Sequence, residues 1–332
     1  MEDVARTAGV SRMTVSRALR DDGSVSPATR ARIMKIVARM NYVPDQSAGT
    51  LATKRSGFVA TLVPSLNNSH FAESVQTLSD EVESIGLQLL LGHTAYSTAR
   101  EEQLVESMLK RRPEVIVLPF DGHSPRTNRL LKQANVPVIE QWEIPSKPID
   151  YTVGFSNREA ARRMAAALIE RGYRNIAFVS EEDDAWTRGA ARRAGFEQAM
   201  LEAGLSTSHM VRYGKPPMTI EHGYEVGSAF KRYFNSVDCV FCVSDAPAFG
   251  VLSAFKSQNI RVPEDIAVVG FGNFEVSRFS SPAISTVEVD AKGIGRETGR
   301  LICRLLGGNE DPSPIVRHTP VDVQLRWRES TL

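Results

Sequence analysis

Ser11, Arg12, Met13, Thr14, Ser16 and Arg17 lie within one short helix-forming run, and side chains of these types at this spacing can meet a nucleic-acid duplex. Arginines suit guanine edges and phosphates, and hydroxyls suit the backbone. Two helices must hold them. Val4, Ala5 and Ala8 form the inner face of a short first helix, Gly9 supplies the turn, and Ser11 can accept the unpaired N–H groups that open the next helix. Val15 and Leu19 repeat at i, i+4 and point back into a small core, leaving Arg12, Met13, Ser16 and Arg17 outward. This is the spacing of a helix-turn-helix. A plain amphipathic hairpin with solvated arginines shares the pattern, but the following residues favour DNA. Ser26-Pro27 predicts a capped third helix to about Asn41, with Ile33, Ile36, Val37 and Met40 inward. Tyr42-Val43-Pro44 breaks it. Asp45 to Thr53, with Leu51-Ala52 near its end, is shorter than the roughly 12 residues an isolated helix needs, so it is expected to order only on docking. Residues 1–55 hold ten Lys or Arg against five Asp or Glu; the whole chain is +1, so the remainder carries −4. A basic head on an acidic body is expected when only the head meets phosphate.

The 332 residues are 42% hydrophobic, enough for this head and a body of more than one ordinary domain. No run of 18 apolar residues and no charged-then-apolar leader is present, so neither a membrane span nor an export signal is expected. Cys239 and Cys242 sit in an apolar run that reads as a buried strand, without a second metal-ligand pair. Together with Cys303 they point to the reducing cytoplasm. From Gly57 onward short apolar strands alternate with helical patterns, which predicts doubly wound parallel sheets. Strands are expected at Phe58 to Val63, Leu87 to Leu91, Val115 to Leu118 and Val136 to Ile139. After a restart near Asn157 they follow at Ile176 to Val179, Val237 to Val243 and Ile266 to Gly270. Two α/β lobes follow, with a helix from Lys292 to Leu306 and a tail to Arg328 returning across both. The cleft between them is the default pocket. No glycine-rich phosphate loop follows the first strand, no nucleophile, base and acid stand together, and neither an enzyme nor a cofactor is expected.

The head resembles that of the LacI/GalR repressor family. The likeness covers D-V-A-x-x-A-G-V-S-x-x-T-V-S-R from Asp3 to Arg17, V-S-x-x-T-R from Val25 to Arg30, N-Y-x-P from Asn41 to Pro44, and L-A at Leu51 and Ala52. The resemblance implies that Arg12, Met13 and Arg17 read the major groove, while Ser11, Thr14, Ser16, Asn41 and Tyr42 hold the backbone. It also implies that Leu51, beside Ala52, wedges from each of two subunits into the minor groove; packing between hinge segments is the alternative. Two departures stand out. Family members carry several residues before the first helix, so an N-terminal contact is expected to be missing, and Asp45 places a carboxylate where the hinge meets phosphate.

The body is similar to the periplasmic-binding-protein type effector domain of the same family. The organisation implied is a helix-turn-helix head over 1–44, a hinge over 45–56, and an effector-binding and dimerisation body over 57–332. Its first lobe would hold about 57–150 plus 274–308, and its second about 151–273 plus 309–328. Ser65, His70 and Phe71 are first-lobe candidates for effector contact, and Gln141 and Trp142 follow the fourth strand. In the second lobe the resemblance points to Trp186, Arg188, Ser244, Asn273 and above all Arg192, which leads an R-x-x-G-F run. Duller roles exist for each: a helix cap for His70, core for Phe71 and the tryptophans, a solvated charge for Arg188. Where neutral-sugar binders of the family carry an aspartate, this chain has Gly272, and loss of that anion beside Arg192, Arg188 and His70 suits an acidic ligand. The first-lobe run and His123-Ser124-Pro125-Arg126-Thr127 resemble the gluconate and 2-ketogluconate repressor subgroup. The expected protein is therefore a homodimeric repressor released from a palindromic operator by a sugar acid. The alternative is a solute-binding protein of the same fold without a DNA role.

Overall fold

The computed structural model describes residues 1–20, 23–43, 56–182, 187–233, 236–307 and 314–331. Leu51 and Ala52 of the expected hinge, and Trp186, lie outside them. The chain forms two compact units, Met1–Ser56 and Gly57–Leu332.

In the first unit, α1 (Glu2–Ala8) ends on Gly9 at φ 62, a left-handed backbone that glycine adopts without Cβ strain. Ser11 caps α2 (Arg12–Leu19), its hydroxyl accepting from Thr14 N at 3.1 Å, and Ser26 caps α3 (Pro27–Arg39) in the same way through Thr29 N. Val4, Ala5, Ala8, Val15, Ala18 and Ile33 are all at most 5% exposed and form one core, with Leu19, Ile36, Val37 and Tyr42 packed around it. Met40, expected inward, is 40% exposed, because α3 has already ended and the chain reverses through Asn41 at φ 46.

The second unit continues β1 (Phe58–Val63), α4 (Ser69–Glu83), β2 (Gln88–His93), α5 (Thr98–Leu109), β3 (Val115–Pro119), α6 (Pro125–Lys132), β4 (Val138–Gln141) and β5 (Tyr151–Gly154). Then come α7 (Asn157–Glu170), β6 (Ile176–Ser180), α8 (Arg188–Glu202), β7 (Met210–Arg212), α9 (Ile220–Ser228), α10 (Phe230–Tyr233), β8 (Cys239–Cys242) and α11 (Asp245–Ser257). The chain closes with β9 (Ala267–Gly272), α12 (Glu275–Phe279), β10 (Ser285–Val289), α13 (Ala291–Leu305), β11 (His318–Pro320) and β12 (Val323–Arg326). One sheet runs β11-β5-β4-β3-β1-β2, the other β12-β10-β9-β8-β6-β7. All pairings are parallel except β10 with β12. Helices cover both faces, so β1, β3, β6, β8 and β9 read as nearly unbroken apolar runs. Cys239 and Cys242 are buried in β8, and burial pushes both thiols up.

The lobe boundaries differ from those expected. β5 belongs to the first sheet, residues 275–289 bring β10 into the second, and β11 returns to the first. The sequence signal misses these strands because β5 and β11 are short, and β10 and β11 are rich in polar residues; neighbours fix them through backbone register. Two glycines allow close helix packing. A Cβ on Gly295 of α13 would meet Ser74 O of α4 at 2.3 Å, and one on Gly195 of α8 would meet Arg158 O of α7 at 1.9 Å. No described helix is long and apolar enough to cross a membrane.

Candidate effector cleft and DNA-binding face

The cleft of the second unit, about 960 Å³, opens at the carboxyl ends of strands from both sheets. On the first-lobe side, Ser65 follows β1, and its hydroxyl accepts from Asn67 N at 3.2 Å. Asn68, not His70, caps α4, accepting from His70 N at 3.0 Å. The His70 ring is thereby free to line the cleft. It lies 4.2 Å from the Phe274 ring and stacks at 6.4 Å on Trp142, which packs edge-on against Phe71 at 4.9 Å. Burial, then the Arg192 charge, pushes the His70 imidazole down to about 3, so the ring is neutral at physiological pH. Trp142 turns into this cluster through a left-handed backbone, φ 70.

On the second-lobe side, Thr187 caps α8, accepting from Ala190 N at 3.0 Å, and Arg188 and Arg192 project one turn apart from the same helix. Gly195 lies on that face too and lets α8 close on α7. Arg192 Nε therefore donates to Asn157 Oδ1 at 2.8 Å, at the start of α7. Its Nη1 donates to Val243 O at 2.7 Å, and the guanidinium lies 3.8 Å over the Phe271 ring. No hydrogen bond to Nη2 is present among the described residues, and Arg192 lines the cleft. Burial, then repulsion from Arg188, lowers its pKa to about 10, which leaves it charged at neutral pH. Arg188 makes a two-pronged pair with Asp121, Nε to Oδ1 at 2.8 Å and Nη2 to Oδ2 at 2.9 Å. Ser244 lines the cleft at the start of α11 without spending its hydroxyl on a cap.

Two expected residues lie elsewhere. Gln141 faces away from the cleft and donates from Nε2 to Thr298 Oγ1 of α13 at 2.6 Å, because alternate residues of β4 point to opposite faces. Asn273 points its amide into the sheet edge, donating from Nδ2 to Glu288 Oε1 at 2.7 Å and accepting from Arg328. The absence of an aspartate at 272 also does not make the cleft free of carboxylates, since Asp121 and Glu181 both line it. Gly272 adopts φ 130, and a Cβ there would meet Phe274 and His70 at 3.2 and 3.3 Å, so the paired rings occupy the place of a side chain.

Asp121, Glu181, Asn157, Phe271 and Phe274 carry the cleft without having stood out in the sequence. Glu181 was within reach, since it directly follows β6 just as Ser65 follows Pro64 after β1. Its carboxylate packs on the first turn of α8, where a Cβ at Gly189 would meet Oε1 at 2.0 Å. Glu181 Oε2 is buried and finds no hydrogen-bond partner among the described residues, and burial raises its pKa. Asn157, at the start of α7, joins the lobes, donating from Nδ2 to Trp142 O at 2.8 Å and to Glu143 Oε2 at 3.0 Å while accepting from Arg192.

The run from His123 to Thr127 is structural. The His123 side chain is wholly buried, Nδ1 lying 2.8 Å from Glu101 Oε1 and Nε2 3.5 Å from Glu140 Oε1, the latter an ion-pair distance. Burial alone would lower its pKa, but hydrogen bonding and the two carboxylates outweigh that and raise it to about 9. Ser124 and Arg126 bind Glu102 on α5.

In the head, Arg12, Met13 and Arg17 project from α2, and Met13 is 59% exposed although apolar. The Ser11 and Thr14 hydroxyls are 2.9 Å apart at the helix start. Ser16 is half-buried on α2, Asn41 is exposed beyond α3, and Tyr42 packs on the core.

Residues 1–45 match the family model "Bacterial regulatory proteins, lacI family", and residues 165–331 match "Periplasmic binding protein-like domain". The HTH-type transcriptional regulator GntR of Escherichia coli K12 is 33% identical over 314 residues, covering 94% of this chain and 93% of its own. The regulator IdnR of the same organism is 30% identical over 324 residues, covering 97% and 95%. A crystal structure of a LacI family transcriptional regulator from Silicibacter pomeroyi aligns at TM-score 0.79 with 56% identity, over 83% of this chain and 99% of that one.

Proposed function

The chain belongs to the LacI family of bacterial regulatory proteins and is a ligand-responsive, DNA-binding regulator rather than an enzyme; on that premise we propose that its effector is a sugar acid of the gluconate or 2-ketogluconate type. The observation that carries this reading is Arg192. Two of its nitrogens are fixed by Asn157 and Val243, and the third, on a residue that lines the cleft, is left to serve as a preorganised donor for a carboxylate. Glu181, Ser65 and Ser244 would bind the hydroxyls, and His70, Phe71, Trp142 and Phe274 would pack the carbon chain. Resemblance to the gluconate repressor subgroup supports the same class. A neutral sugar is the second reading, because Asp121 and Glu181 are acceptors for hydroxyls. Calorimetric titration separates the two. Gluconate or 2-ketogluconate should bind and glucose should not, and tight glucose binding with none of either acid overturns the proposal.

Two subunits would pair through their bodies and set two heads on a palindromic operator. Arg12, Met13 and Arg17 would meet base edges, and Ser11, Thr14, Ser16, Asn41 and Tyr42 the backbone, with Leu51 and Ala52 of the hinge in the minor groove. Effector binding would shift the lobes and release DNA, with a coupling of about 1–3 kcal/mol felt equally in both directions.

A further inference from the structure

We propose that Asp121 is a resident counter-anion of the cleft, holding Arg188 while no ligand is bound and giving it up to the carboxylate of an acidic effector. This rests on the acid-binding reading above. Asp121 stands two residues beyond β3 of the first sheet, and Arg188 begins α8 on the second lobe, so their paired hydrogen bonds of 2.8 and 2.9 Å span the cleft. The two partners are unequally placed. The Arg188 side chain is 9% exposed and fixed over Phe71 at 5.2 Å, whereas Asp121 is 21% exposed on a loop and has water to turn into. Asp121 is therefore the partner that leaves.

The pair also selects ligands. Arg188 and Arg192 are like charges one helical turn apart, and Asp121 neutralises one of them. A carboxylate arriving at Arg192 meets the Asp121 charge and gains full access to both guanidiniums only when Asp121 withdraws. A neutral hydroxyl accepts a hydrogen bond more weakly than a carboxylate and cannot displace it. Asp121 thus raises the concentration at which the acid acts and keeps neutral polyols off Arg188. Since the displaced bond joins the lobes, exchanging it for a ligand contact changes what links them.

The test uses the full-length protein with Asp121→Asn, Asp121→Ser and the double variant Asp121→Asn/Arg188→Met, each checked for native circular dichroism. Acetate, against sodium chloride at equal ionic strength, probes the freed cation by its effect on the thermal midpoint. Acetate should stabilise both single variants more than the wild type, and the gain should vanish in the double variant. In parallel, gluconate should bind Asp121→Asn roughly fivefold more tightly, and any gain in glucose binding should be smaller. The proposal is overturned if acetate acts equally on wild type and single variants, or if gluconate binds the single variants more weakly. Failure of the acid-binding reading looks different: wild type would prefer glucose to gluconate while the acetate arm still decides the role of Asp121.

Discussion

The head and the cleft contrast in how their chemistry is built. In the head, the side chains proposed to read DNA project from one two-turn helix, and the groups that orient them, Gly9, Ser11 and the Val15 face, lie within a few residues. In the cleft, the working groups follow β1, β3, β4, β6, β8 and β9, and they bind one another across long separations, as Arg188 does Asp121 and Arg192 does Asn157. A short motif fixes the first kind of site. The second depends on which partner each side chain finds in the folded chain.

That contrast is sharpened most strongly in the small head core. Ile33→Ala empties a wholly buried position and should cost about 2–5 kcal/mol. Small domains have little margin, so operator binding should be lost in a mobility-shift assay while calorimetric effector binding persists. Arg192→Met tests the other region: effector affinity should fall roughly 30-fold or more, about 2 kcal/mol, with operator affinity in the absence of effector little changed. Equal loss of both activities would break the comparison.

A smaller effect is expected from pH. The His123 pKa is raised to about 9 by Glu101 and Glu140 against an ordinary value of 6.5, so its contribution to stability is full below pH 6.5 and lost as pH rises through 9. Thermal unfolding of the body should show that decline in wild type and not in His123→Gln. The smallest effect is that of Gln141→Leu, which removes a bond to Thr298 outside the cleft. It should lower the thermal midpoint by the loss of about 1 kcal/mol and leave the effector dissociation constant unchanged.

The sequence made the head legible because helix capping and turn formation are local. Ser11, Ser26 and Gly9 act as their types and positions imply. It made the two-lobed α/β body legible because buried parallel strands need long apolar runs. It did not reveal β5, β7, β10, β11 and β12, which sheet register holds, nor the side-chain orientations at strand ends. Gln141 and Trp142 are neighbours in sequence, yet one binds α13 and the other lines the cleft. Arg192 stands out by leading the R-x-x-G-F run, with Arg188 a candidate four residues before it, but their partners, Asn157 and Asp121, lie 35 and 67 residues away.

Fluorescence anisotropy of the full-length protein on a labelled operator duplex, with and without gluconate or 2-ketogluconate, tests the central claim most directly. Saturating acid should weaken operator binding at least about fivefold in wild type and leave Arg192→Met unmoved. Operator affinity indifferent to both acids, or equally altered by them in Arg192→Met, would contradict the account.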